Sequence, residues 1–132
     1  MSAEPVLLDT SAWIAYFRDT DTVLSAHIDE IITQDTARIC GLVLAELLQG
    51  AKSEREITEL SELARAIKRL NEPHDAWEQA GKLGYRLRMQ GQTIHINDCY
   101  IAILALAEDC ELLTLDKHFL VIEKHEKLKL YK

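Results

Sequence analysis

The sequence predicts an α/β fold with helices on both faces of a central parallel sheet, and three observations point to it. Short apolar runs without alternation, Val6-Leu7-Leu8 and Leu112-Leu113 among them, read as strands buried on both faces. Longer stretches with apolar residues at helical spacing separate these runs, which is the strand-and-helix alternation of a parallel sheet. Residues 97–107 are apolar almost all round, so that segment belongs inside a layered fold. The 132 residues suffice for one full core and are read as a single domain, 1–132.

The elements follow in order. Pro5 stops any earlier helix, and the strand Val6-Leu7-Leu8 ends in Asp9. Thr10 or Ser11 can cap a helix over residues 12–18, which sets Asp9 at a strand-to-helix corner. In open parallel sheets ligands bind at such carboxyl-edge corners. Val23, Leu24, Ile28, Ile31 and Ile32 predict an amphipathic helix over 22–32, and residues 37–40 a second strand. Gly41 leads into a helix over 42–49, whose Glu46 lies about a turn in, near the same edge. As an exposed residue of a helix, Glu46 also has an ordinary reading.

Ile57, Leu60, Leu63, Ala64 and Ile67 predict a packing helix within 53–70 with a charged outer face. Asn71 and Pro73 break it, and Trp77, Ala80, Gly84 and Leu87 begin another that runs to about Gly91. Asn97 is a good N-cap for the central helix, with Asp98 in the first turn. Asp98 heads the face that continues through Ile101, Ala102, Ala105 and Leu106, so it sits over packed side chains. Complementing the helix dipole is its simpler reading. Residues 110–115 predict a third strand ending in Asp116; Val121-Ile122 a short element; and Leu128-Lys129-Leu130 an edge strand guarded by lysines.

Composition narrows the function classes. Hydrophobic residues at 48% and charged residues at 28% are globular values. Fifteen Lys and Arg against 22 Asp and Glu give a net charge of −7, which argues against strong nonspecific adhesion to nucleic acid or anionic membrane. A nucleic-acid enzyme remains compatible, and an acidic chain suits a basic partner. Lys68, Arg69, Lys82, Arg86 and Arg88 read as a solvated face, with contact to RNA phosphates as the alternative. Cys40, Cys99 and Cys110 are odd in number, lack a C-x-x-C pair and lie in or beside apolar segments, so they read as reduced core thiols of a cytoplasmic protein. The start Met1-Ser2-Ala3-Glu4-Pro5 lacks the pattern of a targeting signal, and no apolar run approaches the roughly 18 residues of a membrane span.

Right-handed crossovers bring every strand end and following helix start to one edge of the sheet. Asp9, Glu46, Asp98 and Asp116 would therefore converge there. Two carboxylates about 4 Å apart repel by roughly 4 kcal/mol at an effective dielectric near 20, so protons or cations must offset the charge. An all-oxygen site with no nearby Cys or His ligand suits Mg²⁺ or Mn²⁺ rather than zinc, and such ions bind phosphate and activate water. That chemistry is phosphodiester hydrolysis. No G-x-x-x-x-G-K-S/T loop or G-x-G-x-x-G turn is present, and Ser11 stands where an aspartyl phosphatase would carry a second acid. The histidines at 27, 74, 95, 118 and 125 form no H-x-x-x-H pair and read as surface residues, although His95 and His118 each lie close to an acid.

The motifs Leu8-Asp9-Thr10-Ser11, Ala45-Glu46-Leu47, Asn97-Asp98-x-x-Ile101-Ala102 and Leu113-Thr114-Leu115-Asp116-Lys117-x-Phe119 make the chain resemble the PIN-domain nucleases, most of all the VapC toxins of VapBC toxin-antitoxin systems. The resemblance covers nearly the whole chain and implies a PIN-like, Rossmann-like three-layer α/β sandwich. It implies a Mg²⁺- or Mn²⁺-dependent endoribonuclease acting on single-stranded regions of RNA. Asp9 and Asp98 match the principal metal carboxylates, Glu46 the second acid or general base, and Asp116 the outer fourth acid. Thr10 and Thr114 match supporting hydroxyls. A homodimer is implied, as is inhibition by a cognate VapB-type antitoxin, through which alone DNA would be met. The rivals are a house-keeping PIN nuclease of RNA processing or decay, and a non-catalytic acidic module that docks a basic partner.

Overall fold

The computed structural model describes residues 4–131. Residues 1–3, the head of the stretch read for targeting, lie outside the described residues, as does residue 132. The elements are β1 (Val6–Leu8), α1 (Thr10–Phe17), α2 (Thr22–Thr33), β2 (Ala37–Ile39), α3 (Gly41–Gln49), α4 (Glu54–Ala66), β3 (Lys68–Arg69), α5 (Ala76–Met89), α6 (Ile96–Ala107), β4 (Glu111–Leu113) and α7 (His118–His125). The strands form one parallel sheet in the order β3-β2-β1-β4. Leu7 of β1 stands opposite Arg38 on one side and Leu112 on the other.

From β1 the chain winds outward to β3, then crosses back to lay β4 against the free side of β1. This reversal makes the gap beyond the carboxyl ends of β1 and β4 a topological switch point, where open sheets hold their ligands. Helices α1 to α4 pack among themselves, and α6 packs against both α5 and α7. Right-handed crossovers put the two groups on opposite faces. Leu7, Leu8 and Leu112 of the sheet have no exposure, and neither have Trp13, Leu104, Phe119 and Ile122 from the helices around it. Cys40, Cys99 and Cys110 are buried free thiols, as the apolar settings predict. Among the described residues no helix is long and apolar enough to cross a membrane.

Three aspartates end helices in the left-handed region: Asp19 after α1, Asp35 after α2 and Asp109 after α6, with φ of 51°, 59° and 52°. In each case the next residue's N–H reaches back five residues, from Thr20 to Ala15, Thr36 to Ile31 and Cys110 to Ala105. Aspartate tolerates this conformation better than most side chains, so it stops the helix and turns the chain.

Several sequence expectations need correction. The helix read within 53–70 stops at Ala66, and Lys68–Arg69 form a fourth strand that pairs with Arg38 and Ile39. Two basic residues carry no strand signature of their own, so the pairing is tertiary. The strand read over 110–115 is shorter, Glu111–Leu113, which leaves Thr114 and Leu115 between it and Asp116. Val121-Ile122 lie inside α7, and the edge strand read at 128–130 is reduced to one parallel bridge between Leu112 and Leu130.

Candidate active site

Asp9 follows β1 and is only 4% exposed. It caps α1 itself, in place of the predicted Thr10 or Ser11: its Oδ1 accepts from the Ala12 N–H at 3.0 Å and from Ser11 Oγ at 2.7 Å. Its Oδ2 accepts from Thr114 Oγ1 at 2.5 Å. The same Thr114 oxygen accepts from the Asp116 N–H at 2.9 Å, so one hydroxyl ties the end of β1 to the loop after β4. Ser11 Oγ accepts from the Leu115 N–H at 3.0 Å and closes the link from the other side. Burial pushes the Asp9 carboxyl above its ordinary range, although the Thr114, Ser11 and Ala12 hydrogen bonds pull down; Asp116 adds like-charge repulsion.

Asp98 sits in the first turn of α6, which starts two residues earlier than an Asn97 cap predicts and is capped by His95 instead. His95 Nδ1 accepts from the Asn97 N–H at 3.1 Å. Burial first, and the Asp116 carboxylate second, raise the Asp98 pKa. His118, at the start of α7, is 62% exposed at its side chain, as a surface histidine should be, yet its Nδ1 lies 3.2 Å from Asp116 Oδ1 and 3.4 Å from Asp98 Oδ2. One donor atom each from Asp98, Asp116 and His118 lie within 4.8 Å of one another. The all-oxygen surroundings expected from the sequence therefore gain an imidazole at the rim.

Glu46 projects from α3, half-buried, and accepts from Thr10 Oγ1 at 2.7 Å. That is its side chain's one hydrogen bond among the described residues. It reaches the other acids only through the Asp9-Thr10 backbone. The structure thus brings Asp9, Asp98 and Asp116 into electrostatic contact and holds Glu46 one residue aside, with Thr10 and Thr114 as its two hydroxyl supports. Ser11 and His118 join the set unforeseen as to role. Their signal was visible, since each stands two residues after a site aspartate.

No lysine or arginine forms an ion pair with any of the four acids among the described residues. Asp9 and Asp98, both held above the usual aspartate pKa and both repelled by Asp116, with no lysine or arginine paired to them, fit a divalent metal ion. Oxygen donors dominate, as hard Mg²⁺ or Mn²⁺ requires. By contrast, three of the five residues on the basic face are already paired: Arg69 with Glu72, Lys82 with Glu78 and Arg86 with Glu126.

A parallel sheet whose switch point gathers carboxylates from β1, α6 and the loop after β4 defines a class. Residues 6–124 match the family described as PIN domain, and the chain belongs to that family. Within it the chain is 35% identical over 124 residues to VapC ribonuclease Mb1587 of Mycobacterium bovis, across 90% of this chain and 92% of that protein. Ribonuclease VapC11 of Mycobacterium tuberculosis is similar to the same extent. Among solved structures, VapBC2 from Rickettsia felis, bound to a DNA fragment from its promoter, superposes with a TM-score of 0.79 at 23% identity, covering 96% of both chains.

Proposed function

We propose that the protein is a Mg²⁺- or Mn²⁺-dependent endoribonuclease toxin of the cytoplasm that cuts single-stranded regions of RNA, and that a cognate VapB-type antitoxin neutralises it. The observation that carries this reading is the set of acids gathered at the switch point, none of which pairs with a lysine or arginine among the described residues. Asp9 and Asp98 would hold the metal, with Asp116 as outer ligand and His118 beside it. The ion supplies charge neutralisation for the phosphodiester and lowers the pKa of attacking water. The chain's residues do the rest. Ser11, Ala12 N–H and Thr114 fix both oxygens of Asp9, so that carboxylate is oriented before substrate arrives. Glu46, held at Oε1 by Thr10, keeps Oε2 free to take the proton of the attacking water. The water oxygen bonds to phosphorus as the bond to the leaving ribose oxygen breaks, and the leaving oxygen gains a proton.

An antitoxin arginine placed among these carboxylates would form charge-assisted hydrogen bonds and close the site. Residues 1–132 act in this reading as one domain, in a homodimer, with DNA met only through the antitoxin.

The test is incubation of purified, partner-free protein with total cellular RNA, in Mg²⁺ or Mn²⁺ and in EDTA. Discrete fragments that need metal and vanish in Asp9→Asn and Asp98→Asn, with circular dichroism unchanged, are expected. Cleavage that survives either substitution overturns the assignment.

A further inference from the structure

A cavity of about 200 Å³ opens directly beside the candidate active site, between the loop after β4, the start of α7 and the last described residues of the chain. Thr114 and Asp116 form its inner rim, and Leu115, Leu120, Leu130 and Tyr131 its walls. Two of these walls are unusual for a polar site: Leu115 is 53% and Leu120 47% exposed, side chains that gain nothing from water. The third wall is fixed. Tyr131 donates its N–H to Leu112 O at 2.9 Å, Leu112 donates to Lys129 O at 2.8 Å, and the Tyr131 ring meets His27 edge-on at 6.4 Å. The Tyr131 hydroxyl has no hydrogen-bond partner among the described residues.

We propose that this cavity is a subsite for one unstacked nucleobase next to the scissile phosphodiester, a reading that rests on the ribonuclease activity proposed above. A flat heteroaromatic ring has two apolar faces and a polar edge. The cavity offers Leu115, Leu120 and Leu130 to the faces, and Thr114, Asp116 and the Tyr131 hydroxyl to an edge that carries N–H donors. The charge balance favours this mode of grip. A net charge of −7 weakens the nonspecific phosphate term, and single strands are also held by contacts to splayed bases. Because the rim is shared with Asp116, whatever base sits here sets the position of the adjacent phosphate against the acids. The cavity is therefore a specificity-determining element, with Leu120 and Tyr131 as its readers.

The probe is a pool of single-stranded RNA with randomised sequence, cut by wild type, Leu120→Ala, Tyr131→Phe and Tyr131→Ala, with fragment ends sequenced and KM and kcat measured on one short RNA drawn from the preferred cuts. Wild type is expected to prefer certain bases at one position flanking the cut. Leu120→Ala raises KM about tenfold, leaves kcat within about threefold and flattens that preference, in line with the loss of one base contact. Tyr131→Phe keeps affinity but shifts the preference, because only the hydroxyl is lost. Leu120 is exposed on α7, so its truncation leaves the fold intact should Tyr131→Ala unfold the chain's end. Wild-type cleavage with an unaltered KM and preference in Leu120→Ala overturns the subsite while the nuclease stands. Weakened antitoxin binding with unaltered RNA kinetics overturns it in favour of a protein side chain in the cavity. Absence of any cleavage or RNA binding by wild type removes the nuclease reading and the subsite together.

Discussion

Asp9 does two things that usually compete. Its carboxylate caps α1, which stabilises the metal-free fold, and it is the most buried of the four acids, which destabilises its charged form. Asp98 has the second problem without the first, since burial and the Asp116 carboxylate raise its pKa and the cap of α6 is His95. The sign of its linkage follows. A raised folded-state pKa adds stability below the ordinary aspartate value, near pH 4, and that stability is lost as pH rises through the raised value. In EDTA at pH 7 to 8, Asp98→Asn should therefore melt a few degrees above wild type, and the gap should shrink toward pH 4; thermal scans across that range check it. Thr114 is the second decisive residue, because one hydroxyl serves both Asp9 and Asp116. Thr114→Val should lower cleavage about 10- to 100-fold with little change in melting, while Thr114→Ser keeps most activity, as initial rates at saturating metal will show. The acids and both threonines were legible in the sequence as residues at motif positions. The directions of their hydrogen bonds were not, since nothing in Asp9-Thr10-Ser11 says which side chain caps the helix and which turns away to Glu46.

Among the elements, those with a strong local signal were read correctly, within a residue or two at their ends: β1, α2, α3, α5 and α6. The misreadings share one physical cause. Lys68–Arg69 become a strand only because β2 offers a free edge, and Leu128-Lys129-Leu130 fall short of one because they meet β4 at a single bridge. Edges of a sheet are decided by neighbours, and a window of local sequence carries little of that. Helix α5 shows the opposite case, a local weakness that the fold tolerates. Gly81 lies in its interior, and a Cβ built there meets nothing within 4 Å. Gly81→Ala should stabilise the protein by about 0.5–1 kcal/mol through the entropy of the unfolded chain. That corresponds to roughly 2–4 °C in a melting experiment on a chain of this size.

For the whole molecule, the separation of strands from β1 outward and back is what assembles the site. The alternation of elements made the parallel sheet and its acidic edge predictable, whereas the order β3-β2-β1-β4, which selects the gap between β1 and β4, needed the structure. A binding event at that gap is felt by the entire fold. Free Mg²⁺ or Mn²⁺ at about 100 times its Kd should stabilise the wild type by roughly 2.7 kcal/mol, a rise of several degrees in Tm that EDTA reverses and that the Asp9→Asn, Asp98→Asn double variant lacks.

The pairing of β4 with β1 also bears on when, during synthesis, the site comes into being. Leu8 stands beside Leu113, and Thr114 must reach back to Asp9 before any acid is correctly aimed. On the ribosome, where chains grow at about 5–20 residues per second, Asp9 emerges many seconds before its partners. A nascent or prematurely ended chain short of Thr114 thus carries at most three of the four acids and no assembled site. In the toxin reading proposed above, harm would begin only once translation is nearly finished, and an inhibitor made beforehand would have only the completed protein to intercept.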